Sequence, residues 1–553
     1  MEDIKIIDGI LFEKLIIGGV IKLKNNLKIV NDLNVFPVPD GDTGDNMFMT
    51  INGGISYLKA VEQNSLYLKA EALANGMMLN ARGNSGVILS QLFYGIALGL
   101  KGLEVANVTQ FSLAFKSGVK QAYEAVMKPV EGTILTVARE AAEFSYNHLD
   151  SNSTISSFIK DYINEMHKSL EHTPELLETL KEAGVIDSGG AGLLYIAEGF
   201  NDVIEGKEIK DVEIETTSSK ELDTSKFNEN SVMEFGYCTE LLLQLQTIKV
   251  DVTTFDVESI IEYLKTIGDS IVAFKKGTIV KVHVHTLTPY KVLEFCQQFG
   301  EFLTIKIENM SLQHNEVITK ESDNSRVRKN LKRKKYAIIT VASGKGLIDT
   351  FYDFGVDEVI DGGQSKNPST KRFIEAFDNV NADYIYVLPN NSNIIMTAKE
   401  AKDLYKESKV YVIESKNFGQ AYSTLSMLDF SIDDPDEIEK ILKEGMEDVT
   451  TGMISKSIRD ANINHVEIKE GDYIGFSDKI MYVANSSKIA TYCELLEKLN
   501  GNSKNFLINV FGLDVNEEEK NIIRNFIKNN YPNLEVYEID GMQEIYDFII
   551  ILE

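Results

Sequence analysis

Cysteine is scarce: Cys238, Cys296 and Cys493 are all there is in 553 residues. Three thiols cannot staple so long a chain, which excludes a disulfide framework and points to a reducing, cytoplasmic compartment. Long apolar runs are missing too. No stretch reaches the ~18 consecutive apolar residues of a membrane-spanning helix, so no integral membrane segment is expected. The first residues, MEDIKIIDGILFEKLI, are interrupted by Asp and Glu and lack the basic head of a signal peptide. Positive charge is in deficit: 56 Lys+Arg stand against 84 Asp+Glu, a net −28. Nucleic acid and anionic bilayers are polyanions, so neither is an expected partner, and a lipid substrate would need a separate carrier. Proline is sparse, with nine residues in all, yet Pro37 and Pro39 fall within one short stretch.

That stretch, Leu33 to Thr50, reads LNVFPVPDGDTGDNMFMT. Proline fixes φ and glycine permits φ > 0, so a sharply folded loop is expected. Asp40, Asp42 and Asp45 place three carboxylates in six residues, a cluster most easily held together by a divalent cation. Carboxylate oxygens suit Mg²⁺, which keeps waters and shares itself with substrate phosphates. A solvated Asp-Gly turn is the plainer alternative. Further along, Ala81-Arg82-Gly83-Asn84-Ser85-Gly86 precedes the apolar run VILSQLFYGIALGL, expected as a buried helix. Glu131-Gly132-Thr133-Ile134 opens another helix, with Thr133 a candidate cap, and Asp187-Ser188-Gly189-Gly190 opens a third. Glycines ahead of a helix leave backbone N–H groups free at its positive end, a natural phosphate site, although any one such loop alone is an ordinary turn. No Walker A sequence is present, since Ala342-Ser343-Gly344-Lys345-Gly346 lacks its glycine spacing.

PDGDTGDNM resembles the metal and nucleotide loop of the dihydroxyacetone kinase L-subunit family. The longer NVFPVPDGDTG resembles the bacterial fatty acid kinase A subunits within it. The resemblance runs over nearly the whole chain. It implies an all-α kinase domain at 1–205 (a helical barrel), a linker at 206–230, a small α+β middle domain at 231–320, a basic linker at 321–335 and an α/β DegV-like domain at 336–553. It implies ATP/ADP and Mg²⁺ as cofactors. Asp40 and Asp42 would be the catalytic metal ligands, with Asn34 or Asp45 assisting. Many relatives carry Thr where this chain has Asp45, so that carboxylate either joins the metal or faces water. The nucleotide would be held by Thr43, Gly44, Asp45, Asn46, Asn84, Ser85, Thr133, Ile134, Asp187, Ser188 and Gly189.

The middle segment has β-like runs at 241–245, 270–274 and 278–285, with helical stretches between them. His283 and His285 are i, i+2 in one such run and so share a face. With Cys238 they are candidates for zinc or for direct action on the substrate; a polar strand face with a structural cysteine is the alternative. RVRKNLKRKK, seven basic residues in ten, is either a solvated linker or a docking strip. From Tyr336, short apolar strands alternate with helices, so a largely parallel sheet is expected, with a second lobe from about Asp436. Its polar loops, around Ser343, Gly362 and Asn390, should cluster at the strands' carboxyl edge. VASG, GGQSKNPST and LPNNSNIIM resemble the family's DegV-like half.

The resemblance implies phosphorylation of a fatty acid carboxylate on a separate DegV-type fatty-acid-binding protein, yielding an acyl phosphate for phospholipid synthesis. A homodimer is left open. A kinase for a small dihydroxyacetone-like metabolite and a non-catalytic lipid-sensing scaffold are the competing readings.

Overall fold

The computed structural model describes residues 4–553 apart from 35–40, 127, 208–236, 253, 277, 310–332, 364–365, 427–431, 433 and 448. Asp40 and most of the two expected linkers lie outside the described residues. Residues 1–212 and 332–553 belong to one compact unit, and 213–331 to a second.

The first part of the larger unit is helical: α1 (Gly9–Asn25), α2 (Leu27–Asp32), α3 (Thr43–Lys59), α4 (Leu66–Asn80), α5 (Gly83–Gly99), α6 (Val108–Ala125), α7 (Ile134–Asn147), α8 (Ile155–Leu176), α9 (Glu178–Ala183) and α10 (Ser188–Ile204). A short antiparallel ribbon, β1 (Ile6–Asp8) with β2 (Val105–Asn107), accompanies them. Local signals start these helices. The Asp8 side chain accepts from Leu11 N ahead of α1, and Asn107 with Gln110 forms a reciprocal capping box for α6. α5 buries Val87, Leu89, Leu92, Phe93 and Ile96, as its apolar run requires. A Cβ on Gly199 of α10 would collide with Gly18 O of α1, so the two backbones touch there and fix the course of α10. Among the described residues no helix is long and apolar enough to cross a membrane.

The smaller unit is a four-stranded antiparallel sheet in the order β4-β5-β3-β6, built from β3 (Tyr237–Leu245), β4 (Gly268–Lys276), β5 (Ile279–Thr286) and β6 (Gly300–Asn309). Helices α11 (Glu258–Leu264) and α12 (Pro289–Cys296) complete it. Leu241, Leu243 and Leu245 of β3 and Val280, Val282 and Val284 of β5 are buried in one core, the period-2 pattern of a sheet with one covered face.

The second part of the larger unit has two lobes. In the first, β7 (Lys334–Ala342), β8 (Glu358–Asp361), β9 (Ala382–Leu388) and β10 (Lys409–Val412) form a wholly parallel sheet in the order β10-β9-β7-β8. The helices Lys345–Asp353, Thr370–Val380 and Ile395–Leu404 lie between its strands in sequence. The second lobe departs from the parallel expectation. Its strands include β11 (Thr450–Lys456), β14 (Tyr473–Ser477), β15 (Ile480–Asn485), β16 (Phe506–Phe511), β17 (Glu535–Asp540) and β18 (Phe548–Leu552), with the small hairpin β12 (Ala461–Ile463) and β13 (Val466–Ile468) between the first two. In this six-stranded sheet only β16 and β17 pair in parallel. The reason is the connection. β14 and β15 are separated by Asp478 and Lys479 alone, and so short a turn joins only antiparallel strands. One apolar cluster spans both lobes, joining Ile338, Phe351 and Tyr386 to Met453, Ile474 and Ile549.

Candidate nucleotide and metal site

The sequence-predicted loops of the helical part become the N-termini of α3, α5, α7 and α10. Asn34 Oδ1 accepts from Thr43 Oγ1 at 2.7 Å and from Ser188 Oγ at 3.1 Å, which ties α3 to α10. Thr50 Oγ1 accepts from Arg82 N at 3.2 Å and donates to Asn46 O at 2.6 Å, which ties α5 to α3. Gly83 has φ of 58°, and Asn46 Nδ2 lies 2.7 Å from where its Cβ would stand, so glycine is required at this turn. At α7, Ile134 packs against Gly189 of α10. Each N-terminus offers N–H groups without intrahelical partners and a positive dipole end. Their assembly around a carboxylate suits an anion held together with a cation.

The individual residues differ in how they are engaged. Asp42 is the N-cap residue of α3, yet its side chain makes no cap bond to that helix. Gly44 N donates to Asn31 Oδ1 and Asn31 Nδ2 donates to Asp45 Oδ2, both at 2.7 Å, so Asp45 is held within the loop in the first turn of α3. Asn84 and Ser85 lie in the first turn of α5, and Asn84 Oδ1 is buried without a hydrogen-bond partner. Thr133 caps α7: its hydroxyl accepts from Leu135 N and donates to Val130 O. Asp187 caps α10, accepting from Gly190 N at 2.6 Å. Burial pushes its pKa up to about 6, against the opposing pull of N–H groups of Gly190 and Ile134.

Some participants lie outside the residues singled out in the sequence. Asn31 is one. Another group braces the Gly132 turn: Glu131 Oε2 accepts from Thr136 Oγ1 (2.6 Å) and Arg139 Nη2 (2.9 Å), and Gly132 N donates to Thr136 Oγ1. The third comes from the far end of the chain. Asn367, 3% exposed, donates from Nδ2 to Asp42 Oδ2 at 2.7 Å. Beside it, Arg82 Nη1 donates to Asn367 O and Thr370 N donates to Ala81 O, each at 3.2 Å. The spacing i, i+3 of Asn31 and Asn34 is a local hint; nothing local pairs Asn367 with Asp42.

The middle-unit candidates sit apart from this group in sequence, on β3 and β5. Register sets Cys238 opposite His285 and Glu240 opposite His283, so Cys238, His283 and His285 occupy two rungs of one ladder with the Thr239–Val284 rung between them. The polar loops expected at the carboxyl edge of the parallel sheet do cluster. Together with the second lobe they line a cavity of about 90 Å³, bounded by Ser343, Asn390, Lys416, Phe418, Met453 and Gln543. Asn390, at φ 59°, anchors its loop by donating to Thr340 Oγ1 and Val341 O.

Among the described residues, no three His, Cys, Asp or Glu side chains are grouped to hold a metal. Mg²⁺ needs no such group: it takes one or two carboxylates and leaves its other positions to water and phosphate. The carboxylates of Asp42 and Asp45 offer the hard oxygens such an ion takes, whereas Asn34 Oδ1 already accepts from two hydroxyls.

Family models match the chain in three places: a DAK2 domain at 37–202, a fatty acid kinase A-subunit-like middle domain at 234–317, and a fatty acid kinase A-subunit-like C-terminal domain at 337–553. Protein YloV of Bacillus subtilis (strain 168) is 36% identical over 557 residues, covering 100% of both chains. Two solved structures are similar over part of the chain. DegV, a fatty acid binding protein from Bacillus subtilis, is 12% identical with a TM-score of 0.31, covering 40% of this chain and 99% of that one. The dihydroxyacetone kinase from C. freundii in complex with AMP-PNP and Mg²⁺ is 18% identical with a TM-score of 0.28, covering 34% and 33%. The zinc and the homodimer raised by the sequence gain no support from these findings. With a full-length relative and three family models in register along it, the chain belongs to the kinase-related family of fatty acid kinase A-subunit-like proteins.

Proposed function

We propose that this protein uses ATP and Mg²⁺ to phosphorylate the carboxylate of a fatty acid presented by a separate DegV-type fatty-acid-binding protein, giving an acyl phosphate for phospholipid synthesis. The observation that carries the reading is the hydrogen-bonded assembly of helix N-termini around Asn34 and Asp42. Asp42, with Asp40 from the same motif and Asp45 assisting, would hold Mg²⁺, and the N-termini of α3, α5 and α10 would face the phosphates. The ion supplies charge neutralisation at the transferring phosphoryl group. The protein's share is positioning. Asn34 fixes the hydroxyls of Thr43 and Ser188 together, and Asn31 fixes Gly44 and Asp45. A carboxylate acceptor is already ionised at neutral pH and needs no strong general base. Family membership supports the kinase class and a fatty acid substrate. The test is ADP release from ATP, Mg²⁺ and oleate with and without a DegV-type carrier. Release that requires both lipid and carrier is expected; turnover of dihydroxyacetone without them would refute the reading.

A further inference from the structure

The loop before the helix Thr370–Val380 belongs to the α/β half of the chain, yet it ends on the kinase loop. A carboxylate can only accept hydrogen bonds, so the Asn367 carboxamide must present its NH₂ to Asp42. The bond is neutral-to-charged: it orients Asp42 without cancelling the charge a cation needs. The loop itself is held from three directions. Arg82 Nη1 donates to Asn367 O, Thr370 N donates to Ala81 O, and Ser369 caps its own helix by accepting from Arg372 N. The Asn367 side chain is therefore delivered by fixed backbone on both sides of the seam. The other carboxamide atom, Oδ1, is buried and has no hydrogen-bond partner. A buried orphan acceptor is costly unless a donor arrives, and a water of a cation's hydration shell is such a donor.

We propose that Asn367 is a positioning residue of the metal site: the α/β half completes the kinase centre by orienting Asp42 toward the cation. Ligating carboxylates are commonly held by such outer partners, whose loss weakens metal binding about 10- to 100-fold. The inference rests on Asp42 being a metal ligand, as proposed for the function, and its test separates the two claims.

Mn²⁺ serves as the probe, titrated into the full chain with AMP-PNP and followed by its paramagnetic resonance signal. Asn367→Ala should raise the Mn²⁺ dissociation constant about 10-fold. The affinity for AMP-PNP measured in EDTA should stay put. In an Asp42→Asn background the Asn367→Ala change should have no further effect. Gln91→Ala, which cuts a different contact across the same seam, should bind Mn²⁺ as the parent does. Equal loss in Gln91→Ala and Asn367→Ala would mean the seam matters only as packing and would overturn the proposal. So would unchanged Mn²⁺ affinity in Asn367→Ala while Asp42→Asn is weakened. If Asp42→Asn itself binds Mn²⁺ normally, the metal reading falls and takes this one with it. A second measurement needs no variant. Hydrogen exchange at the Thr370 amide should slow with Mg²⁺·AMP-PNP but not with AMP-PNP in EDTA; exchange indifferent to the metal would count against the proposal.

Discussion

Asp42 has a positive helix end behind it and a neutral carboxamide in front. Neither is core packing, so replacing Asp42 should harm chemistry far more than stability. Asp42→Ala is expected to lower kcat at least about 100-fold, since a bound cation contributes several kcal/mol to the transition state. Its melting temperature should stay within about 3 °C of the parent, because the side chain's partners are polar loop groups and not core packing. Circular dichroism melts beside an ADP-release assay check both halves, and an active or an unfolded variant would contradict the assignment. Much of this centre is legible in the sequence. Prolines, glycines and close-set aspartates mark an anionic loop around Asp42 through local chemistry alone, whereas Asn34, Thr43 and Ser188 are picked out by the family resemblance. Asn367 cannot, because its partner lies 325 residues away and an Asn before a helix reads as a turn.

Helix α5 is covered around its middle by the helix Ile395–Leu404, and the pair meets through a buried carboxyl. Gln91 Nε2 donates to Glu400 Oε1 at 3.2 Å while Gln91 Oε1 accepts from Gln121. Burial pushes Glu400 up to about 8; Gln91, Ser90 and Thr370 pull it down, and Asp403 adds to the rise. A folded pKa above the unfolded one gives stability that is whole below the ordinary glutamate range and is lost as pH rises through about 8. The parent should therefore melt progressively lower between about pH 4.5 and about pH 8, and Glu400→Gln should flatten that slope. Equal slopes in the two proteins would show that Glu400 does not carry the effect. The elements are readable where periodicity is strong. Val280, Val282 and Val284, alternating with Lys281, His283 and His285, announce β5, and the run after Gly86 announces α5. Strand direction in the second lobe is not readable. The turn at Asp478 and Lys479 contains neither glycine nor proline, so nothing marks β14 and β15 as a hairpin.

At the scale of the molecule, the helical part and the two α/β lobes belong to one unit although the residues of the smaller unit intervene in sequence. Local patterns cannot announce such a union, because each half has a complete fold class of its own. The consequence for melting is two calorimetric transitions. Saturating Mg²⁺·AMP-PNP should raise only the larger, by a stabilisation of about 2.7 kcal/mol at a hundredfold excess over Kd. A nucleotide shift in the smaller transition would argue that the site is not where we place it. The same arrangement sets a schedule for synthesis. A ribosome emits the helices first and reaches the Asn367 loop only after roughly 160 further residues, a delay of about 10 to 30 s at ordinary elongation rates. Throughout that interval the face of α5 that Glu400 will cover stays bare and Asp42 lacks its clamp. If Asp42 holds the metal as proposed, a nascent chain can thus have its helical loops formed and still idle, and competence arrives late, with the part of the protein that looks least like a kinase.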